Sequence, residues 1–171
     1  MDRRILLGCM ILAKRNRYLG KFLFMIVKFS SVIYFLLYII TGIALISAQN
    51  PRLILYLAVP LICAITSYCL RFMIKRQRPY KKYKYKLRYG LVKKNSYSFP
   101  SNHSVSSVVI SMALLYAGVP FWLPVLILAF LTGLSRVFSG LHYPSDVLFG
   151  WMLAIFFGFV GFYILPNTFL L

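Results

Sequence analysis

The stretch "SRVFSGLHYPSD", Ser135–Asp146, decides how this chain is read. It joins two long apolar runs and holds one Arg, one His and one Asp. The 171-residue chain has two acidic residues in all, and the other is Asp2. A carboxylate placed shortly after a histidine, in a chain that otherwise avoids carboxylates, needs a chemical reason.

The flanking runs set the class. No Lys, Arg, Asp or Glu lies between Lys28 and Arg52, between Arg52 and Arg71, between Asn95 and Ser135, or after Asp146. A helix that crosses a bilayer needs about 20 apolar residues. The third run is long enough for two such helices, and "AGVPFWLP" (Ala117–Pro124) supplies the Gly/Pro break between them. The expectation is an all-α, integral-membrane helical bundle of one domain, 1–171. About five transmembrane helices are expected, at roughly 29–48, 53–72, 102–118, 121–138 and 146–165. A soluble globule is excluded by the 61% hydrophobic content, and a net charge of +18 would make it repel itself.

Residues 1–28 read as a basic interfacial segment. "ILLGCMILA" (Ile5–Ala13) is too short to span and is followed by "KRNRYLGK" (Lys14–Lys21). The expectation is an interfacial helix with Ile5, Leu6, Met10 and Leu12 dipping into the acyl region. No small-residue cleavage site of a signal peptide stands out. The three cysteines, Cys9, Cys63 and Cys69, show neither metal nor disulfide spacing.

With five spans, the basic N-terminus, the Arg71–Pro100 segment and the Arg136–Asp146 segment share one membrane face. The other face carries Arg52. The positive-inside rule points the loaded face to the cytoplasm, and the composition and size suggest a multi-pass protein of a bacterial plasma membrane. "YKKYKYKLRYGLVKK" (Tyr80–Lys94) interleaves Tyr with basic residues. Beside a membrane this reads as contact with anionic headgroups and the interface rather than with nucleic acid. Oligomeric state stays open, and the glycines of "GFVG" (Gly158–Gly161) suit a close helix approach.

Three segments on that face carry the reactive groups: "RFMIKRQRP" (Arg71–Pro79), "SFPSNHS" (Ser98–Ser104) and the opening stretch. The two histidines of the chain, His103 and His142, lie in the second and third. Ser101 suits the N-cap of the apolar helix after it, with Asn102 and His103 in its first turn, where free amides and the helix dipole attract anions. Pro144 suits the first position of the last helix, which puts Asp146 in its first turn. Asp146 can then accept a hydrogen bond from His142, fix its tautomer and leave the other ring nitrogen as a nucleophile. Arg71 and Arg78 approach one face if the helix continues between them, and guanidinium forks match phosphate oxygens. Together these groups form a set for phosphoryl transfer through a phosphohistidine, one histidine attacking and the other protonating the leaving oxygen. There is no carboxylate cluster for Mg²⁺ and no zinc-type spacing, so a metal-independent reaction without cofactors is expected.

These motifs resemble the type 2 phosphatidic acid phosphatase (PAP2) superfamily. Its signature runs Lys-x6-Arg-Pro, then Pro-Ser-Gly-His, then Ser-Arg-x5-His-x3-Asp. Here the third part is complete in Ser135, Arg136, His142 and Asp146, and the second reads "PSNH" with Asn102 in place of Gly. The first has Arg71 where Lys stands, then Arg78–Pro79, and Lys75 lies one turn along, so the part of the family Lys falls to Arg71 or Lys75. The resemblance implies His142 as nucleophile, Asp146 as its orienting partner, and His103 as general acid and then base. It implies phosphate binding by Arg71, Arg78, Ser101, Asn102 and Arg136, with Lys75 able to assist. It implies a membrane helical bundle that removes a terminal phosphate from a lipid phosphate or diphosphate. Polyprenyl diphosphate, phosphatidylglycerophosphate and phosphatidic acid are the substrate classes considered. A non-enzymatic cationic membrane protein that binds anionic lipid is the alternative, since it needs the basic residues but neither His142 nor Asp146. A transporter or channel is a third reading, and charges deep in a span, which would support it, are missing from the sequence.

Overall fold

A computed structural model describes residues 2–85, 87, 91 and 95–166. Among them the secondary structure is helical. The order is α1 (Asp2–Arg15), α2 (Arg17–Ser47), α3 (Leu53–Ile74), the short α4 (Pro79–Lys82), α5 (Asn102–Tyr116), α6 (Trp122–Phe138) and α7 (Pro144–Phe159). A π-helical turn, Val160–Ile164, continues α7.

Three runs are long and apolar enough to cross a bilayer: Arg17–Ser47, Leu53–Lys82 and Pro144–Ile164. The helices α5 and α6 stand where two further spans are expected. At 15 and 17 residues they fall short of the ~30 Å hydrocarbon core at 1.5 Å per residue. The outer faces of α2, α3 and α7 carry exposed Phe35, Ile40, Ile54, Leu61, Met152 and Phe156. So large an apolar girdle belongs in lipid, and the chain is an integral membrane protein.

The first span differs from expectation in its start. Lys21 and Lys28 mark a charge boundary, but lysine is a good helix former, and α2 runs unbroken from Arg17. The separate N-terminal helix therefore covers residues 2–15 instead of 1–28. It also packs on protein. Leu6 is fully buried with Val137, Tyr143 and Val147, and Met10 packs against this cluster, while Ile5 and Leu12 stay exposed.

The core sits around α5, which packs against α3, α6 and α7. Val105, Val108, Val109, Ala113 and Leu114 are buried there. Its buried serines are satisfied locally, as where Ser111 donates to the Ser107 carbonyl at 2.8 Å. Gly158 and Gly161 are used inside the bundle: a Cβ on Gly158 would meet Met112 Sδ at 2.4 Å, and one on Gly161 would meet Val59 Cγ2 at 2.3 Å. The Tyr38 and Tyr56 rings stack at 4.8 Å and exchange hydroxyl-to-carbonyl hydrogen bonds, pinning α2 to α3.

The helix order brings the end of α3, the start of α5 and the α6–α7 connection to one end of the bundle. The Tyr–Lys segment lies partly outside the described residues, at 86, 88–90 and 92–94. Within it, Tyr80 is buried with Val27 and Leu141, and the Tyr85 hydroxyl donates to the Gly140 carbonyl at 2.7 Å. These two rings hold the protein together at positions read from sequence as membrane contacts.

Candidate active site

The α6–α7 connection is short and fixed at both ends. Gly140 takes φ +72°, a left-handed turn open to glycine, and a Cβ there would meet the Tyr85 hydroxyl at 2.8 Å. The chain then passes through Leu141 and His142 into α7, where Pro144 opens the helix as expected. Asp146 closes a capping box: its Oδ2 accepts the Tyr143 N–H at 2.9 Å. It also accepts the Ser98 hydroxyl.

His142 sits between an acid and a base. Its Nδ1 lies 3.5 Å from Asp146 Oδ2, at the outer limit of a hydrogen bond, and has no other partner among the described residues. Its Nε2 lies 3.1 Å from Arg78 Nη1. A guanidinium can only donate, so Nε2 is the acceptor and the neutral ring carries its proton on Nδ1. Nε2 is thus the nitrogen with a free pair. Burial above all depresses the His142 pKa, to about 4, against the pull of Asp146 and with the Arg78 and Arg136 charges adding to the fall. The ring is neutral near pH 7.

Arg71 and Arg78 converge by a different route from the one expected. The helix does not continue between them: α3 ends at Ile74, Lys75 turns left-handed at φ 50°, and Arg78 precedes α4. Arg78 donates to the Ser96 carbonyl through Nε and to the Ser96 hydroxyl through Nη2, both at 3.0 Å. Arg71 donates to the Pro100 carbonyl, and its Nε has no partner among the described residues. Both guanidiniums are buried. Among the described residues neither meets a carboxylate in a salt bridge, so they leave positive charge in a desolvated site that an anion would balance.

A cavity of about 670 Å³ joins these groups. Arg71, Arg78, Ser96, Asn102, His103 and His142 line its polar end. Leu57, Pro60, Ala64, Val109 and Ile110 line its apolar remainder between α3 and α5. Other expected residues fall outside its walls. Ser101 precedes α5 but does not cap it; its Oγ accepts from the Ser104 hydroxyl at 2.9 Å, and its N–H donates to the Asp146 carbonyl at 3.0 Å. Arg136 is buried and donates to the Val27 carbonyl on α2 at 3.2 Å. Lys75 is exposed at the end of α3. Asn102, by contrast, is on the cavity wall, and its Oδ1 accepts from the Ser67 hydroxyl at 2.8 Å.

One residue at the centre escaped the sequence reading. Arg76 Nη1 donates to Asp146 Oδ1 at 2.6 Å, and Arg76 Nη2 donates to Asp2 Oδ2 at 2.7 Å. Ser98 escaped it too. The one hint was the charge inventory: two carboxylates among 20 Lys and Arg are bound to find cationic partners.

A model of the PAP2 superfamily matches residues 52–170. An undecaprenyl-diphosphatase of Bacillus subtilis (strain 168) is 43% identical over 65 residues, 38% of this chain and 34% of that protein. An undecaprenyl-diphosphatase of Sulfolobus acidocaldarius is 37% identical over 71 residues, 40% of this chain and 34% of that protein. The matched part thus spans about a third of the length of these curated relatives. The crystal structure of a transmembrane PAP2 type phosphatidylglycerolphosphate phosphatase from Bacillus subtilis superposes with a TM-score of 0.69 at 26% identity. The superposition covers 94% of this chain and 82% of that one.

Proposed function

Since the chain belongs to the PAP2 superfamily, we propose that it is a membrane phosphatase that removes the terminal phosphate of a lipid phosphate or diphosphate through a phosphohistidine. The observation that carries this is the shared cavity: both histidines and two buried arginines stand at the polar end of a largely apolar groove.

The lipid chain lies along α3 and α5, and its phosphate displaces Arg78 from His142 Nε2. Arg71 and Arg78 then hold the phosphoryl oxygens and stabilise charge as it builds in the transition state. Nε2 attacks phosphorus, and the phosphorus–oxygen bond to the rest of the lipid breaks. Its electron pair goes to the leaving oxygen, which takes a proton from His103. Asp146 steadies the positive charge that forms on the His142 ring. Water then gives a proton to His103 and attacks phosphorus. The phosphorus–nitrogen bond breaks, its pair returns to Nε2, and inorganic phosphate leaves.

Polyprenyl diphosphate is the first substrate to test, because two sequence relatives are named for undecaprenyl diphosphate. Phosphatidylglycerophosphate is the second, after the structural relative. Phosphate release from each is measured in detergent with EDTA, for wild type and His142→Ala. Release from at least one lipid, abolished by the substitution, supports the proposal. Lipid binding that survives His142→Ala, with no release from any lipid phosphate, moves the reading to an anionic-lipid-binding protein. The charge asymmetry supports a loaded face turned toward the cytoplasm. Lys81→Cys, in a cysteine-free background, should react with an impermeant maleimide in inverted vesicles and not in intact cells.

A further inference from the structure

The two carboxylates of the chain meet on one guanidinium. Arg76 bridges Asp2 on α1 to Asp146 on α7. Ser145 and Tyr143 brace the bridge. Arg76 Nη1 also donates to the Ser145 hydroxyl at 2.7 Å, and its guanidinium lies 3.9 Å from the centre of the Tyr143 ring. Asp2 Oδ1 accepts the Ser145 N–H at 3.2 Å, and Asp2 Oδ2 accepts the Ser145 hydroxyl. Below it, Leu6 of α1 is buried against Val137 of α6 and against Tyr143 and Val147 beside His142. The N-terminal helix is therefore clamped to the segment that carries the nucleophile.

We propose that Arg76 is a positioning residue that sets the orientation and effective charge of Asp146, and that Asp2 makes this setting depend on the seating of α1. A planar fork can serve two carboxylates at once, and its charge is then divided between them. If Asp2 loses its charge, Arg76 turns fully on Asp146, and Asp146 holds the His142 imidazole more weakly. If Arg76 loses its charge, the buried Asp146 carboxylate acts on His142 without competition. The two changes push His142 in opposite directions. A bridge that served only to hold the fold together would disturb the site in the same sense from either end.

The catalytic part of this inference rests on the phosphatase reading; the electrostatic part does not. The test compares wild type, Asp2→Asn, Arg76→Gln and Arg76→Lys in detergent. Ring nitrogen shifts of ¹⁵N-histidine are followed against pH, and His103→Gln assigns the two histidines. His142 is faced by Asp146, Arg78 and Arg136 in every variant. The His142 midpoint should rise by about a unit in Arg76→Gln and fall in Asp2→Asn. For the lipid that wild type hydrolyses, kcat should fall at least tenfold in Arg76→Gln with KM little changed, because Asp146 loses the donor that fixes its Oδ1 and with it the aim of the His142 ring, and Arg76→Lys should recover part of it. A midpoint unmoved in both variants, or moved in the same direction, overturns the proposal. So does an unchanged kcat in Arg76→Gln. If wild type hydrolyses no lipid, the phosphatase reading falls and the titration alone still decides this one. If Arg76→Gln does not fold, the partly exposed Asp2→Asn and the conservative Arg76→Lys carry the test: a His142 midpoint unmoved in both overturns the proposal.

Discussion

Arg78 Nη1 stands 3.1 Å from His142 Nε2 and can only donate to it. One cationic side chain therefore both marks and covers the ring nitrogen that we propose attacks phosphorus. In the proposed mechanism, a phosphate that draws Arg78 away uncovers this nitrogen in the act of binding.

Removing that guanidinium should be costly. Arg78→Ala is expected to lower kcat/KM by about a thousandfold, or roughly 4 kcal/mol of transition-state stabilisation. Arg78→Lys should recover part of it, because an ammonium keeps the charge and loses the fork. Steady-state kinetics in detergent, with thermal unfolding as a control for folding, checks this.

The buried imidazole makes stability depend on pH. His142 is held near 4 in the folded protein, against about 6.5 when free. The unfolded chain thus binds a proton more readily, and stability present above pH 6.5 is lost as the pH falls toward 4. The loss attached to this one group is roughly 3 kcal/mol. Unfolding midpoints in detergent between pH 7 and 4 should fall more steeply for wild type than for His142→Gln.

A third expectation concerns Gly150. A Cβ there would stand 3.1 Å from the Ser101 carbonyl oxygen and 3.2 Å from Ser104 Cβ, where α7 meets the start of α5. Gly150→Ala should destabilise the protein by about 1–3 kcal/mol by overpacking. It should also lower kcat, since it pushes on the contact between Ser101 N–H and the Asp146 carbonyl. Thermal unfolding and turnover measured on one preparation test both parts.

The apolar groove gives a fourth. Ala64 lines it away from the arginines. Ala64→Phe should lower kcat/KM for a long-chain lipid phosphate by about tenfold, as expected when about 1.4 kcal/mol of apolar contact is lost. It should leave a short, water-soluble phosphate ester unaffected. Equal loss on both substrates would place the lipid chain elsewhere.

The core of the site was legible because its signals are local. Pro144 and the His142–Asp146 spacing lie within one turn, and helix-start chemistry governs them. The bundle was legible because uncharged runs of span length leave little choice in a bilayer. The missed features join distant segments. Nothing near Asp2 or Arg76 in sequence says that they meet, and Ser98 reaches Asp146 only after the chain has folded back. The Arg71–Arg78 pair was reached for the wrong reason: the helix breaks at Lys75, and backbone carbonyls at Ser96 and Pro100 gather the two guanidiniums. Leu6 and Met10 were given to lipid because an amphipathic pattern does not tell protein from membrane as its apolar partner.

The most direct test of the phosphohistidine is to trap it. Wild type and His142→Gln are mixed with lipid labelled with ³²P in the terminal phosphate and quenched in alkali within one turnover. Phosphorylation of His142 requires a label on wild type that is stable to base and lost in acid, located at residue 142 and absent from His142→Gln. Wild-type turnover with no trapped label, or with the label on another residue, would contradict it.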